Sequence, residues 1–469
     1  MPTASSQAQV LSHAQAEDIF LRLSQFSNAD GLEVLIAGGH SALTRFANNT
    51  IHQNVTEENY VVSVRTTIGR KTARATTNKL DDESLRRTVE SAEAMTEVQA
   101  EDPDLLPVTP APMSAGEGVQ RFFPETAALT PEDRAFAVEH IVGVAKKNRL
   151  TAAGIFSSSQ SMEAIMNSRG LTVYHTQTSS EISVTMLGED SSGWQKANSP
   201  NVRNLDPIAL AETAVQKALD SASPREVPAG KYTVILEPAA VLDLVGFMFF
   251  DFGGLAILDQ RSFLTNRVGT QLFGENITVN DNVYHPLQSG APFDGEGVHR
   301  QPVRLVENGV IENLVYARAT AEKMLKSEHA SKVGEIQPTG HGFPLPNEIG
   351  EAPMNIVFEG SPDGAHPSIE QMIASTERGI LVTRCWYIRE VDPYEKILTG
   401  MTRDGTFYIE SGKLRHGLRN FRFNESLIHM LSNVIEMGTP VRASGEEAFD
   451  MVVPPMKVRD FNFTEVTKF

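Results

Sequence analysis

Ser223-Pro224-Arg225-Glu226-Val227-Pro228-Ala229-Gly230 divides the chain into two unlike halves. Its prolines fix φ and remove backbone donors, and its glycine loosens the backbone at its end, so neither helix nor strand ladder is expected to run through it. Residues 1–224 and 225–469 are therefore expected to form separate domains, and 469 residues exceed what one ordinary core organises.

Upstream of this linker the pattern is mixed. An amphipathic helix is expected over Ala14–Phe26, with Ile19, Leu21, Leu23 and Phe26 as its apolar set. Strands come next, clearest at Tyr60–Ile68, where Val62 and Val64 alternate with Ser63 and Arg65. Asp81 or Asp82 can cap a helix through Leu85, Val89 and Met95 by accepting from free amides at its start. A loop rich in proline and acid, Glu101–Pro131, has little to bury and is expected to wander over the surface. A second helix–strands–helix run then opens at Glu132–Lys147 and closes at Pro207–Asp220. Met166-Asn167-Ser168 is similar to Ala47-Asn48-Asn49, and Ile182-Ser183-Val184 to Val62-Ser63-Val64, at an offset of about 120 residues. An internal duplication is the reading adopted; coincidence of common β patterns is the alternative.

Downstream, turn dipeptides at Asn308-Gly309, Asp363-Gly364, Asp404-Gly405 and Ser411-Gly412 punctuate short strands as hairpins, with helices near Val241, Ile369 and Leu427. The fold class is thus α+β: duplicated helix–strand units in the N-terminal domain, then a β-rich C-terminal domain.

Composition excludes several functions. Lys+Arg 41 against Asp+Glu 59 gives a net charge of -18, which repels phosphate backbones, so direct nucleic-acid binding is not expected. One cysteine, Cys385, excludes an intrachain disulfide framework and suits a reducing compartment. The polar N-terminus lacks the layout of a signal peptide. The most apolar run, Ala239–Phe250, falls short of the ~20 residues of a membrane helix and is interrupted by Asp243. A cytoplasmic protein that does not enter membranes is expected.

The common catalytic motifs are absent: no Walker loop, GxGxxG, GxSxG or HExxH occurs. Cys385, among aromatics in Thr383-Arg384-Cys385-Trp386-Tyr387-Ile388, reads as an inert core thiol. The twelve histidines are scattered. His341 lies between Gly340 and Gly342, in an expected flexible turn, and His285, His299 and His366 read as solvated loop residues.

More information lies in two sets of segments. Arg261-Ser262-Phe263-Leu264 precedes Phe273-Gly274-Glu275-Asn276-Ile277-Thr278-Val279 and Phe293-Asp294-Gly295-Glu296-Gly297. Thr402-Arg403-Asp404-Gly405-Thr406-Phe407-Tyr408-Ile409-Glu410 precedes Gly412-Lys413 and Asn420-Phe421-Arg422-Phe423-Asn424-Glu425-Ser426-Leu427. In this order they resemble the C-terminal domain of the TldD/PmbA family, the modulators of DNA gyrase. The Leu32–Met95 region resembles that family's opening unit, so the resemblance covers nearly the whole chain.

The resemblance implies a cytoplasmic, dimeric zinc metalloprotease system acting on peptides and unfolded segments. It pairs a TldD-type subunit with a PmbA (TldE)-type one. The former carries an HExxxH helix and a cysteine near its C-terminus; two imidazoles and a thiolate hold zinc, and glutamate deprotonates bound water. Here the HExxxH positions match Leu242, Asp243 and Phe247, and the cysteine region matches Val441-Arg442-Ala443-Ser444-Gly445, with Ser444 at the ligand region. Leucine and phenylalanine offer no lone pair. No metal is therefore expected in this chain; zinc is expected in the partner subunit, and Asp243 reads as a polar group at a helix start or cavity wall.

The expected role is a non-catalytic subunit, forming a heterodimer with a TldD-type catalytic paralogue and engaging peptide or unfolded protein. One alternative is an active metallopeptidase with a rebuilt site, using Asp243 with Asp251, Asp259 or histidines. The other is a peptide-binding homodimer without protease activity.

Overall fold

The computed structural model of the protein describes residues 10–112 and 118–467. Residues 1–9, most of the stretch read against a signal peptide, lie outside the described residues, as do 113–117 of the expected surface loop.

The N-terminal half builds one six-stranded sheet from two copies of a single unit. The first comprises α1 (His13–Phe26), β1 (Gly31–Ala47), β2 (Thr50–Ile68), β3 (Lys71–Thr77) and α2 (Asp82–Val98). After the short α3 (Pro124–Ala127), the second comprises α4 (Pro131–Lys147), β4 (Thr151–Asn167), β5 (Thr172–Leu187), β6 (Ser192–Ser199) and α5 (Pro207–Asp220). The strand order is β3-β2-β1-β4-β5-β6, so the copies join antiparallel through β1 and β4. Their registers superpose under the offset read from the sequence. Gly31 pairs with Thr67 and Thr151 with Leu187; Val62 pairs with Thr77 and Ile182 with Ala197. Advancing each first pair by 120 gives the second. His40 pairs with Gln160, its own equivalent, so a pseudo-two-fold axis passes between them.

Sequence chemistry explains the helix ends. Ser12 and Thr130 form capping boxes with Gln15 and Asp133, and Asp81 accepts from Ser84 N at 2.9 Å. Leu21, assigned to the apolar face of α1, is 54% exposed, whereas Ile19 and Leu23 are buried as expected, Phe26 packs partly buried beside them, and Ala16 joins the contact. The expected surface loop is likewise partly buried at Val108, Thr109 and Arg121, and Arg121 Nη2 donates to the carbonyls of Val283 and His285.

In the C-terminal half, strands 378–392, 230–236, 456–466, 421–426 and 397–410 pair in succession, and the last returns to the first, closing a five-strand ring with no free edge of its own. Ile380, Val382, Phe421, Phe423, Val458 and Phe463 belong to its core. A second six-stranded sheet packs into the same core. Asn308-Gly309 and Ser411-Gly412 make hairpin turns through positive φ. Asp363-Gly364 instead turns a loop, and Asp404-Gly405 lies inside strand 397–410, where φ of 52° and 131° accommodates a bulge rather than a reversal. Helices stand at 238–245, 369–374 and 427–432, as expected, and 254–258 and 318–325 add two that were not expected.

Candidate functional site

Strand β7 (Gly230–Leu236) delivers the chain into α6 (Pro238–Val245). Pro238 is preset for the first turn. Ala240 to Val245 are all buried, so α6 is surrounded by protein rather than amphipathic. Leu242 is fully buried in the main core, and Phe247, just beyond the helix, packs partly buried against it.

Asp243 is fully buried in the last turn of α6, which rules out the helix start, one of the two places expected for it. Its Oδ1 accepts from the amides of Glu446 and Glu447, both at 3.2 Å, and its Oδ2 from Cys385 N at 3.3 Å. Burial pushes its pKa up to about 6 against the opposing pull of these amides and the Arg384 charge. The carboxylate thus ties α6 to strand 378–392 and to the segment after Ser444.

That segment closes over the helix. Ser444 and Gly445 are buried, and a Cβ on Gly445 would clash with Asp243 Oδ1 and come within 2.6 Å of Leu242 Cδ2. Leu242, Asp243 and the Ser444 region, far apart in sequence, therefore meet; Phe247 lies one turn on, its carbonyl accepting from Lys396 Nζ at 3.3 Å. Gly445→Ala is expected to destabilise the fold by about 1–3 kcal/mol through overpacking. A lowered midpoint in urea at unchanged slope would show it; an unchanged midpoint would mean that the segment yields freely.

The donor set does not fit a zinc ion. Leu242 and Phe247 carry no ligand atom, Ser444 offers a hydroxyl in place of a thiolate, and Asp243 is already occupied by three amides. Among the described residues no group of three His, Cys, Asp or Glu is placed to hold a metal. The groups considered for a rebuilt site have other partners. Asp251 lies 2.6 Å from Lys396 Nζ and accepts from Phe263 N, and Asp259 pairs with Arg261. Cys385 is buried, and that burial raises its thiol pKa well above the ordinary value. His341 is buried, not flexible. Its Nδ1 is 3.0 Å from Thr339 Oγ1, and its Nε2 is 3.0 Å from the buried Asp281 at ion-pair distance, with poor hydrogen-bond alignment. His366 is exposed, whereas His285 and His299 are partly covered.

Sequence reasoning missed the wall beside Asp243. Arg384 lies over both tryptophans of the chain, Trp194 at 4.6 Å and Trp386 at 5.4 Å, and pairs with Asp404. Trp194 comes from β6, so this stack joins the two halves. Arginine between aromatics in the Thr383–Tyr387 segment was the available signal.

Comparison with known proteins places this geometry. Residues 32–96, 124–222 and 229–465 match domain 1, the central domain and the C-terminal domain of the PmbA/TldA metallopeptidases. The chain belongs to that family. Metalloprotease PmbA of Escherichia coli O157:H7 is 21% identical over 82% of each chain. An uncharacterised protein of Methanocaldococcus jannaschii is 28% identical over 39% of this chain, a match spanning 45% of that relative's length. The fold is that of TldE from Thermococcus kodakarensis, with a TM-score of 0.82 at 19% identity, covering 96% of this chain and all of that one.

Proposed function

We propose that this chain is the non-catalytic, PmbA/TldE-like subunit of a TldD-type zinc metalloprotease complex, which binds and processes peptides or unfolded segments in the cytoplasm. The observation that carries this reading is the closed metal-site position: apolar side chains at two ligand positions, a hydroxyl at the third, and Asp243 consumed by backbone amides. A scaffold kept whole around a plugged site suits a subunit that encloses substrate while its partner supplies zinc and the activated water. The name of the Thermococcus neighbour, TldE, agrees with this reading. Among the described residues no helix is long and apolar enough to cross a membrane.

The test is coexpression with an HExxxH-bearing paralogue from the same host. The expected complex contains zinc in the paralogue alone and cleaves unfolded casein, whereas this chain by itself holds no stoichiometric zinc and cleaves nothing. Failure of the two to associate would sink the heterodimer and leave the homodimeric reading. One zinc per isolated chain, with chelator-sensitive cleavage, would install the rebuilt peptidase instead.

A further inference from the structure

The pseudo-two-fold sheet has two equivalent open edges, treated differently. β3 covers β2 only over Val62–Ile68, and β6 covers β5 only over Ser180–Leu187. Beyond β6, the β5 edge at Gln177 and Thr178 is occupied by the chain itself. Arg121 bridges Gln177 in the parallel sense, Thr178 N donates to Arg121 O at 2.9 Å, and Phe123 N donates to Thr178 Oγ1. Gly290 N donates to the Gln177 side chain, and Phe293 packs with Ile165, Leu171 and Val173 on the adjoining face. A shift of 120 residues carries Gln177 and Thr178 onto Glu57 and Glu58. There, among the described residues, no segment pairs with the outer edge of β2, and Glu57 to Asn59 are all exposed.

The covered copy gives the direction of the free amides. Thr178 N and Gly188 N both point away from β4, so even-numbered residues of β5 donate outward. By the same offset, Asn54, Thr56 and Glu58 donate toward the vacant side of β2, while odd-numbered residues serve the β1 ladder. On one adjoining face a shallow depression of about 410 Å³ is lined by Ser41, Leu43, Val55, Ile155 and Ser159. Glu57 and Glu58 stand on opposite faces of the edge, and the covered copy places Arg121 opposite the position equivalent to Glu57.

We infer that the β2 edge over Asn54–Glu58 is a docking site for an extended basic peptide segment, which adds as a strand parallel to β2. This rests on the peptide-handling reading above and names where, and in what form, a peptide is held. The occupant is identified in two parts: Arg121–Phe123 shows that this edge geometry accepts an extended parallel backbone, and the exposed carboxylates of Glu57 and Glu58 set the charge of the segment that complements it. Main-chain hydrogen bonds supply affinity and the paired glutamates select charge.

The test uses the whole protein and a labelled ten-residue peptide of alternating lysine and threonine, with a glutamate–threonine peptide as control. The basic peptide is expected to raise fluorescence anisotropy in a salt-sensitive manner, and the acidic one is not. Thr56→Pro removes one outward amide and leaves the β1 ladder intact, since proline is tolerated where the missing donor faces solvent. It is expected to weaken binding by about tenfold, with a direct loss and the neighbouring register disturbed. Glu57→Gln with Glu58→Gln is expected to flatten the salt dependence. Hydrogen exchange on the unaltered protein supplies a readout free of any folding defect: amides 54, 56 and 58 gain protection with peptide, and 55 and 57 do not change. Equal binding by the Thr56→Pro protein, or no protection at the even amides, would overturn the inference. So would a change of oligomeric state without a change in peptide affinity, which would assign the edge to a second copy. If the zinc-bearing paralogue still copurifies while the peptide fails to bind, the site is wrong and the subunit reading stands.

Discussion

Glu33→Ala is expected to cost the fold about 3–5 kcal/mol, the range for stranding buried charges by removing their partner. Glu33 is 1% exposed and holds two arginines at once: Arg65 Nη2 at 3.1 Å and Arg74 Nη2 at 2.7 Å. Arg65 is as deeply buried, and its Nε and Nη1 have no hydrogen-bond partner in the structure, so Glu33 is its principal compensation. Arg74 carries the effect across the domain boundary, because its Nε donates to Leu345 O at 2.6 Å. The expected result is a urea midpoint lowered in both halves together, with Glu33→Gln falling between the alanine variant and the parent. A loss below about 1 kcal/mol, the value of a surface pair, would show that water reaches these arginines.

Asp243→Ala is expected to remove about 3 kcal/mol near pH 4, since three buried amides lose their acceptor at about 1 kcal/mol or more each. The pH dependence separates this carboxylate from a generic core polar group. Unfolded, it loses its proton near 3.8; folded, burial holds that proton until about pH 6. Unfolding therefore releases a proton between these values, and the stability contributed by the protonated acid is lost as pH rises from 4 through 6. The difference is worth about 3 kcal/mol when fully developed. The alanine protein lacks this fall, so its deficit is largest near pH 4, narrows as pH rises to about 6, and stays level above it. A deficit independent of pH would mean that the carboxylate ionises as it does in water.

The duplication was legible because hairpin registers echo in sequence: the Asn48-Asn49 turn and the Val62-Ser63-Val64 alternation recur about 120 residues on. Strand lengths were not. β2 begins at Thr50 rather than Tyr60, and Ile51 to Asn54 are exposed, leaving no alternation to read. Asp404-Gly405 resembled a hairpin turn because a bulge and a reversal use the same positive-φ chemistry. The glycines flanking His341 suggested mobility, although its neighbour Asp281 lies 60 residues away in sequence and fixes it. At the degenerate helix the missing ligands could be read directly. What holds Asp243 could not, since its partners are backbone amides at 385, 446 and 447, which have no side-chain signature.

His40 and Gln160 face each other across the axis that relates the two halves of the sheet. Had those halves been separate identical chains, every substitution would have struck both, and any edge closed in one would be closed in the other. A single gene spanning both lifts that obligation. One half could become a permanent seat for the rest of the molecule while its image stayed open, so the asymmetry between neighbouring surfaces was available to this protein before any partner arrived.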